Sequence, residues 1–336
     1  MRHLKLLLPV LGLALVAGGV AHAQAPVPIR AGWIVPVANI GSILFAKPGI
    51  AQNDGKTYRL EMVHFQGTTP QINALATGDL DIGLLGFTSL PLAVQNAHLD
   101  DLKVIIDEAQ DGGKGFASNP YFVLKSGGIK SVAGLKGKVL ATNAYGSAVD
   151  LSMRIELLKN HIDPKTDVNV VEAAFPTMKT MLLSGKANLV PAVLPFNEDP
   201  ELASKGNVLF TQADGMGGPS ELAIWVARKS FLDKHHDAVV DFLADYLRAL
   251  RFYLDPKNHD EAVQIASKFS KLPPKVFQSW LFTSRDYYRP ADGVPHAEVL
   301  QHNIDTLVKY GFLKGKIDAS NHVDASLIEA AAKRLK

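Results

Sequence analysis

Cysteine is absent from this sequence of 336 residues. The absence excludes disulfide bonds, thiolate metal sites and cysteine nucleophiles. It also excludes the lipid-modified cysteine that anchors many exported proteins of Gram-positive cells to the membrane. Any chemistry that depends on a thiol is therefore ruled out for this chain.

Long apolar runs are scarce, and the one at the N-terminus has the features of a secretory leader. Arg2 and Lys5 precede an apolar stretch over residues 6–20, and Ala21-His22-Ala23 is an A-x-A cleavage signal. A polar, proline-containing stretch follows directly, which argues against a membrane anchor of about 20 apolar residues. We predict that residues 1–23 are a removed signal peptide and that the mature protein is soluble in a bacterial periplasm.

Charge of one sign is not in excess. Loss of Arg2 and Lys5 with the leader lowers the basic count from 35 to 33, against 33 acidic residues. Nucleic-acid binding calls for a basic surface. We therefore expect no nucleic-acid partner.

Catalytic motifs are missing too. The sequence holds neither H-E-x-x-H nor G-x-S-x-G, and residues 134–138 lack the spacing of a phosphate-binding loop. Adjacent histidines, His235 and His236, are candidate metal ligands, but such a pair in a polar stretch is typical of a solvated surface. We predict no catalytic residue, no metal site and no cofactor.

One pattern occurs twice. An apolar run over residues 60–65 leads through a loop to Pro70, a helix-like stretch, Gly78 and a second apolar run; residues 168–171 lead in the same way to Pro176 and Gly185. Proline suits the start of a helix and glycine suits its end. Each copy predicts strand, loop, helix, strand, so we expect an α/β protein whose mostly parallel sheets are flanked by helices.

Two glycine-rich breaks, near residues 111–120 and 214–221, bracket the second α/β series. They are typical of paired crossings between two lobes, which form a hinge because a few residues absorb the rotation. Ordinary surface loops are the alternative. We predict a first lobe over residues 24–116 and 221–336, a second lobe over 117–220, and a helical tail after residue 231 that packs on the first lobe.

Ligands of open parallel sheets bind at the loops that follow the strands. Here those loops are small, hydroxyl-bearing or aromatic and nearly uncharged, which suits an anion held by backbone N–H groups at helix starts. The alternative is that Thr69, Ser89 and Ser147 only cap their helices and the aromatic rings belong to the core. The predicted ligand-binding residues are Trp33, Asn39, Gln66, Thr68, Thr69, Phe87, Thr88, Ser89, Asn119, Asn143, Tyr145, Gly146, Ser147, Phe175, Phe196 and Glu221.

Three stretches carry a resemblance to a known family: residues 74–83, residues 129–139, and Gly146-Ser147 at a helix start. The chain resembles the periplasmic substrate-binding proteins of ABC importers for nitrate, taurine and aliphatic sulfonates. The resemblance implies a two-lobed periplasmic binding protein fold (type II) with a five-stranded sheet in each lobe. It also implies binding roles for Trp33, Thr68-Thr69, Phe87-Thr88-Ser89 and Tyr145-Gly146-Ser147.

Related sequences include a pyrimidine synthase of thiamine biosynthesis that relies on a cysteine-rich motif, an activity that the absence of cysteine does not support. We therefore expect a monomeric, non-enzymatic solute-binding protein that delivers a small organic anion, a sulfonate or carboxylate with an aromatic body as one option, to an ABC permease in transient contact. Its first lobe should hold the polar head of the ligand.

Two other functions remain open at this point. One is a secreted enzyme on the same scaffold, using Glu172, or Glu221 beside Ser220. The other is a ligand sensor for a membrane receptor.

Overall fold

A computed structural model describes residues 25–335, so the predicted signal peptide lies outside the described residues. Within 25–335 no helix is long and apolar enough to cross a membrane. The described residues form ten strands: β1 Val27–Trp33, β2 Tyr58–His64, β3 Ile82–Leu85, β4 Leu102–Asp111, β5 Pro120–Leu124, β6 Val139–Thr142, β7 Asn169–Glu172, β8 Val190–Pro191, β9 Gly206–Thr211 and β10 Ser220–Arg228.

Helices of 5 to 19 residues surround these strands. They are α1 Thr68–Thr77, α2 Ser89–Ala97, α3 Ala148–Lys159, α4 Phe175–Leu183, α5 Pro200–Lys205, α6 Gln212–Met216, α7 Lys229–Lys234, α8 His236–Leu254, α9 His259–Ser270, α10 Ala297–Lys309 and α11 Ser326–Lys333.

The first lobe is built on a five-stranded sheet in the order β2-β1-β3-β10-β4. β1 runs parallel to β2 and β3, with Val27 opposite Tyr58 and Trp33 opposite His64. β10 runs antiparallel to both its neighbours. Four of the five strands therefore share one direction, and their carboxyl ends meet at one edge of the sheet.

The second lobe repeats this plan. β8-β5-β9 and β6-β7 form two ladders, and a parallel bridge from Leu140 to Leu189 joins them into the order β7-β6-β8-β5-β9. β5 is the antiparallel strand here, in the position that β10 holds in the first lobe. The two-lobed α/β fold predicted from the doubled pattern is confirmed, with one reversed strand in each sheet.

The doubled helices α1 and α4 begin slightly earlier than their prolines suggest. α1 starts at Thr68, two residues before Pro70, and ends at Gly78, whose φ of 77° is the left-handed conformation that glycine adopts without strain. α4 starts at Phe175, so Pro176 occupies its second position. Both helices follow the strand ends at which the predicted loops lie.

The helical tail packs on the first lobe, as expected, but not only there. α8 buries Leu243, Tyr246 and Leu250, and the Tyr246 ring meets Trp225 of β10 edge-on with 5.6 Å between centroids. Farther on, the Arg285 guanidinium lies 2.9 Å from the Glu198 carboxylate of the second lobe. The tail therefore also touches the second lobe, a contact that its helical periodicity does not reveal.

Polar side chains tie the two crossings together. The Asp111 carboxylate at the end of β4 accepts hydrogen bonds from the Ser118 hydroxyl at 2.5 Å and the Asn119 backbone N–H at 2.7 Å. The Gln212 side chain accepts from the Asn119 amide at 3.1 Å and donates to the Ser220 hydroxyl at 2.8 Å. The crossing segments are thus hydrogen-bonded to each other across the hinge.

Candidate ligand-binding cleft

A cavity of about 60 Å³, which we call the inner cavity, lies between the two lobes. Its polar lining residues are Asn39 and Thr68 from the first lobe, Asn143 and Ser147 from the second, and Tyr287 from the tail. The apolar lining residues are Ile34, Val35, Ala38, Leu84, Ala148, Val149, Phe175, Val193 and Leu222. Polar groups therefore come from both lobes rather than from the first alone, because Ser147 starts a helix that lies outside the doubled pattern.

Two helices on opposite lobes begin at the inner cavity. Thr68 is the first residue of α1, and Ala148 and Val149 are the first two of α3. The N–H groups of a first helical turn have no partner within the helix, and the helix dipole adds about half a positive charge there. The cavity wall thus offers backbone donors and positive potential from two directions.

Ser147 caps α3 and shapes the cavity wall. Its hydroxyl accepts a hydrogen bond from the Asp150 backbone N–H at 3.4 Å and donates to the Asn143 amide oxygen at 2.7 Å. The Asp150 carboxylate lies behind this turn, where it accepts from the Gly146 N–H at 2.9 Å and pairs with Arg154 at 2.9 Å. The arginine offsets that negative charge at the helix start.

The opposite wall is the loop after β1. The Asn39 side-chain oxygen accepts from the backbone N–H of Ile34 at 3.1 Å and of Val35 at 2.7 Å, which folds the loop back on itself. The Arg289 guanidinium donates to the Ala38 carbonyl at 2.7 Å. Asn39 therefore holds the wall in shape as well as lining it.

Behind this wall lies a buried ion cluster. Arg289 is 3.6 Å from the Glu108 carboxylate and 3.5 Å from that of Asp286. Burial raises the pKa of Glu108 and of Asp286, and the nearby guanidinium opposes that rise. These charges face one another, whereas the described residues that line the inner cavity include no charged side chain.

Tyr287 is the polar cavity residue that the sequence did not point to. Its hydroxyl donates to the Asn119 amide oxygen at 2.5 Å and accepts from the Leu194 backbone N–H at 3.0 Å. One side chain of the tail thus joins a hinge crossing to the second lobe. The Tyr287-Tyr288 doublet was the only signal in the sequence, and a doublet of aromatics is equally typical of a core.

The lobes touch each other directly at the rim of the cavity. The Thr69 hydroxyl of α1 donates to the Tyr145 carbonyl at 2.9 Å, and the Asn143 amide lies 3.4 Å from the Gln66 carbonyl. A Cβ built on Gly67 would lie only 2.9 Å from the Ala144 Cβ. The structure therefore represents a closed arrangement, in which Thr69 bonds across the cleft instead of capping its own helix.

Two further spaces adjoin the inner cavity. The first, of about 140 Å³, is lined by Gln66 and Phe196 among others, and we call it the antechamber. The second is an outer groove of about 620 Å³ between α4 and the tail. Phe175 lines all three spaces. Its ring is nearly parallel to that of Phe196, at 18° and 6.5 Å between centroids.

Other predicted residues lie near the cleft without lining the inner cavity. The Trp33 ring packs against His64 at 4.3 Å and edge-on against Phe269 at 5.8 Å between centroids. Phe87, Thr88 and Ser89 are fully buried at the start of α2. The Ser89 hydroxyl bonds to that of Thr68, so it supports a cavity residue from behind.

The remaining predicted residues lie at the hinge or on the surface. Asn119 and Glu221 are buried in the crossings, and burial together with the neighbouring Asp107 carboxyl raises the pKa of Glu221 well above its usual range. Tyr145 is 48% exposed, and its hydroxyl donates to the Val170 carbonyl at 2.8 Å. Gly146 turns the chain into α3 with a φ of 77°.

The residues considered for metal binding or catalysis lie outside the inner cavity. His236 is exposed and contacts Asp237 at 3.2 Å, and no group of three or more potential metal ligands occurs within residues 25–335. The Glu172 carboxylate accepts from the Tyr145 N–H at 2.5 Å. The Ser220 hydroxyl accepts from Gln212 at 2.8 Å. Each of these groups has a structural partner.

Comparison with protein families gives one match over most of the chain: residues 22–267 match the sequence model of the NMT1-like family. Among curated proteins, the chain is 25% identical over 276 residues to a putative aliphatic sulfonates-binding protein of Bacillus subtilis (strain 168). That match covers 81% of this chain and 78% of the relative.

Solved structures share the fold at low sequence identity. The alkanesulfonate-binding protein SsuA from Xanthomonas axonopodis pv. citri, bound to MOPS, has a TM-score of 0.69 at 17% identity and covers 90% of this chain and 99% of its own. The ligand-binding component of an ABC-type import system from Staphylococcus aureus, with zinc bound, has a TM-score of 0.70 at 18% identity, with 91% and 99% covered. The desulfurization enzyme DSZB has a TM-score of 0.64 at 12% identity, with 92% and 100% covered.

Proposed function

The chain belongs to the NMT1-like family, and we propose that it is a periplasmic solute-binding protein that carries a small organic anion, a sulfonate or a carboxylate, to an ABC import permease. The proposal places residues 1–23 in a removed signal peptide. It divides the mature chain into a first lobe of residues 24–116 and 221–336 and a second lobe of residues 117–220.

The inner cavity carries this proposal, because two helix starts direct positive potential at a lining that, among the described residues, holds no charged side chain. Thr68 begins α1 and Ala148 begins α3, on opposite lobes. Backbone N–H groups and the helix dipole together favour an anion at such a site. A cation would find neither a carboxylate nor a charged partner among the described lining residues.

Simple energetics support binding without an arginine or lysine. A dissociation constant of 1 μM corresponds to about 8 kcal/mol. A hydrogen bond to a charged group contributes about 1.5–3 kcal/mol. The first-turn N–H groups of two helices, with the Thr68 hydroxyl and the Asn143 amide N–H, supply enough such bonds, and apolar burial beside Phe175 adds to them.

Closure follows from the same geometry. A ligand that contacts both lobes binds the closed state more tightly than the open one and shifts the population toward it. The hydrogen bond from the Thr69 hydroxyl to the Tyr145 carbonyl then stabilises the closed state further. The closed, monomeric protein would present a rim formed by both lobes to the permease, in a transient complex that can release the anion.

Thermal unfolding of the purified protein tests the proposal. Each anion of a panel of sulfonates, carboxylates and nitrate is added in a Tris buffer, because MOPS is itself a sulfonate and phosphate is an anion that helix starts can bind. A true ligand at 100 times its dissociation constant stabilises the folded state by about 2.7 kcal/mol. Calorimetric titration of every compound that raises the melting temperature should give a stoichiometry of one. A panel without any shift contradicts the proposal.

The fold shared with DSZB makes a secreted enzyme the second candidate. An enzyme needs an acid, base or nucleophile at the bound ligand, and Glu172 and Ser220 both lie outside the inner cavity with structural partners of their own. NMR spectra of a bound ligand followed over hours decide between the two. Intact ligand supports a binding protein, and turnover supports the enzyme.

A further inference from the structure

A segment of the tail without regular helix or strand, residues 282–293, contacts both lobes, and we call it the strap. It lies between α9 and α10 in the chain. The buried backbone N–H and C=O groups of an irregular segment need hydrogen-bond partners as much as those of a helix do. The partners that the strap finds show which parts of the molecule it holds together.

The C-terminal half of the strap is fixed to the first lobe. The Tyr288 carbonyl accepts a hydrogen bond from the Gln110 N–H at 2.8 Å, and the Gly293 carbonyl accepts one from the Asp107 N–H at 3.0 Å. Both donors belong to β4. The buried ion cluster behind the cleft wall holds the same stretch through Arg289. The strap therefore moves with the first lobe when the lobes rotate.

The N-terminal half of the strap reaches across the hinge. The Asp286 carbonyl accepts from the Ala117 N–H, in the crossing after β4, at 3.0 Å. The Asp286 carboxylate accepts from the N–H groups of Phe282 at 2.8 Å and Tyr287 at 2.7 Å, which fixes the turn. The Tyr287 hydroxyl is thereby directed at the second lobe, where it accepts from the Leu194 N–H at 3.0 Å.

Two contacts join the strap to the second lobe, and they differ in burial. The Arg285 side chain is 58% exposed, so its ion pair with Glu198 is screened by water and salt and contributes little. Tyr287 is only 4% exposed. A Leu194 N–H that lost its partner there would be left unsatisfied in a buried place, which is costly. The Tyr287 contact therefore contributes more than the ion pair does.

The bond between Tyr287 and Leu194 depends on how the lobes are arranged. Tyr287 is carried by the first lobe and Leu194 by the second, so rotation that opens the cleft separates the two groups and lets water reach them. The bond from Thr69 to the Tyr145 carbonyl at the rim has the same property. Thr68, beside Thr69, and Tyr287 both line the inner cavity. Bonds between the lobes therefore lie next to the cavity at the rim and at the strap.

We propose that the strap is a closure latch, in which Tyr287 is a positioning residue that holds the second lobe against the first and so sets how long a bound solute stays. The proposal rests on the proposed function and adds control of release to it. The latch acts on the departure of the solute more than on its arrival, because the bond to Leu194 forms only in the closed state.

Rates of binding test the latch. Tyr287→Phe removes the hydroxyl and keeps the ring. The solute for stopped-flow measurement is whichever of methanesulfonate, benzenesulfonate, acetate, benzoate and nitrate raises the melting temperature most. We expect the dissociation rate constant to rise about two- to tenfold, as the loss of one net hydrogen bond predicts. The association rate constant should change by less than about twofold, since closure follows the encounter.

Tyr288→Phe is the matched control, because it makes the same substitution at the next residue. The Tyr288 hydroxyl accepts from the Lys114 ammonium group at 2.5 Å, on the first-lobe side of the crossing. The control should therefore keep both rate constants of the unchanged protein. A fall in melting temperature shared by the two variants would report on structure alone, whereas the dissociation rate constant distinguishes them.

Distances between the lobes show whether the hydroxyl acts through closure. The chain has no cysteine, so Asn73→Cys on α1 and Lys186→Cys after α4, both at exposed positions, place one nitroxide label on each lobe. Pulsed electron paramagnetic resonance with saturating solute should give one short distance for the unchanged protein and for Tyr288→Phe. Tyr287→Phe should show an added population at a longer distance.

The outcomes separate the latch from the proposed function. Equal dissociation rate constants in the unchanged protein and both variants overturn the latch and leave solute binding in place. Faster dissociation of Tyr287→Phe without a longer distance overturns it too, since Tyr287 would then act by direct contact with the solute. If none of the anions binds, the proposed function fails and the ligand-free distances decide: a short-distance population that Tyr287→Phe lowers supports the latch, and one that is absent or unchanged overturns it.

Discussion

Ser147 shows how one side chain at the cleft serves both the fold and the candidate site. Its hydroxyl caps α3 through the Asp150 N–H and orients Asn143, and both Ser147 and Asn143 line the inner cavity. A cap of this type stabilises a protein by about 1 kcal/mol. The Asn143 amide that Ser147 orients can donate to a charged ligand, and such a bond adds about 1.5–3 kcal/mol to binding.

Ser147→Ala should therefore lower both the melting temperature and the affinity, the latter by about 10- to 100-fold. Ser152→Ala on the same helix is the control: the buried Ser152 hydroxyl donates to the Ala148 carbonyl at 2.7 Å and does not line the cavity. The control should lose stability and keep its affinity. Equal affinities in the two variants would show that Ser147 acts only as a cap.

Asp111, which is buried at the hinge, should make the stability of the folded protein depend on pH. Burial raises the pKa of its carboxyl to about 7, although the bonds from Ser118 and Asn119 oppose the rise. Below about pH 4 the carboxyl is protonated in both the folded and the unfolded state. Between that pH and about 7 the folded protein keeps the proton and the unfolded chain releases it, so stability falls as the pH rises.

One proton retained in this way changes the free energy of unfolding by about 1.4 kcal/mol per pH unit. Asp111→Asn should remove that contribution, so urea unfolding from pH 4.5 to 7.5 should show a flatter decline for the variant. Above pH 7 the two profiles should run parallel. Parallel profiles over the whole range would mean that Asp111 stays ionised in the folded protein.

The sequence indicated much of the candidate site at the level of residues. Asn39, Thr68, Asn143, Ser147 and Phe175 follow strand ends, where topology brings parallel strands to one edge, and all five line the inner cavity. Tyr287 could not be found in this way, because the tail reaches the cleft through tertiary contacts and not through the pattern of strands. A binding role for the predicted residues remains a prediction.

At the scale of elements, the sequence predicted the local strand-loop-helix-strand units well, but it did not predict which distant strands pair. The two strand-loop-helix-strand units are present, with α1 and α4 in matching places. The strand β9 and the amphipathic α9 were not predicted, since the apolar run of the former is only three residues long, Val208 to Phe210, and the latter begins in a polar segment. The central position of β10 could not be predicted either, because its partner β4 lies about a hundred residues earlier in the chain.

At the scale of the whole molecule, closure depends on a close approach at Gly67. The backbone there is extended, with a φ of −167°, so any residue can adopt it. Glycine is required there only because the other lobe approaches closely. A Cβ added at Gly67 would lie 2.9 Å from the Ala144 Cβ and 3.2 Å from the Asn143 Nδ2. A larger side chain at this position should therefore destabilise the closed state and leave the open state unchanged.

Gly67→Val should fold normally and close poorly. Overpacking costs about 1–3 kcal/mol, which corresponds to binding that is about 5- to 150-fold weaker. Small-angle scattering should show ligand-induced compaction of the unchanged protein and little compaction of the variant. Gly127→Ala, where an added Cβ meets only Leu124 of the same lobe at 3.4 Å, should behave as the unchanged protein does. Full compaction of Gly67→Val would contradict this role for Gly67.

The reversed strand in each sheet has a consequence for biosynthesis. All five strands of the second lobe lie between residues 120 and 211, so that sheet can assemble as soon as its own segment is available. The first lobe is begun earlier but must wait for β10, which inserts between β3 and β4. Pairings between distant segments form slowly, so the lobe that is translated first is the last to be completed. Until β10 has been synthesised, the edges of its open sheet must be kept from pairing with other chains.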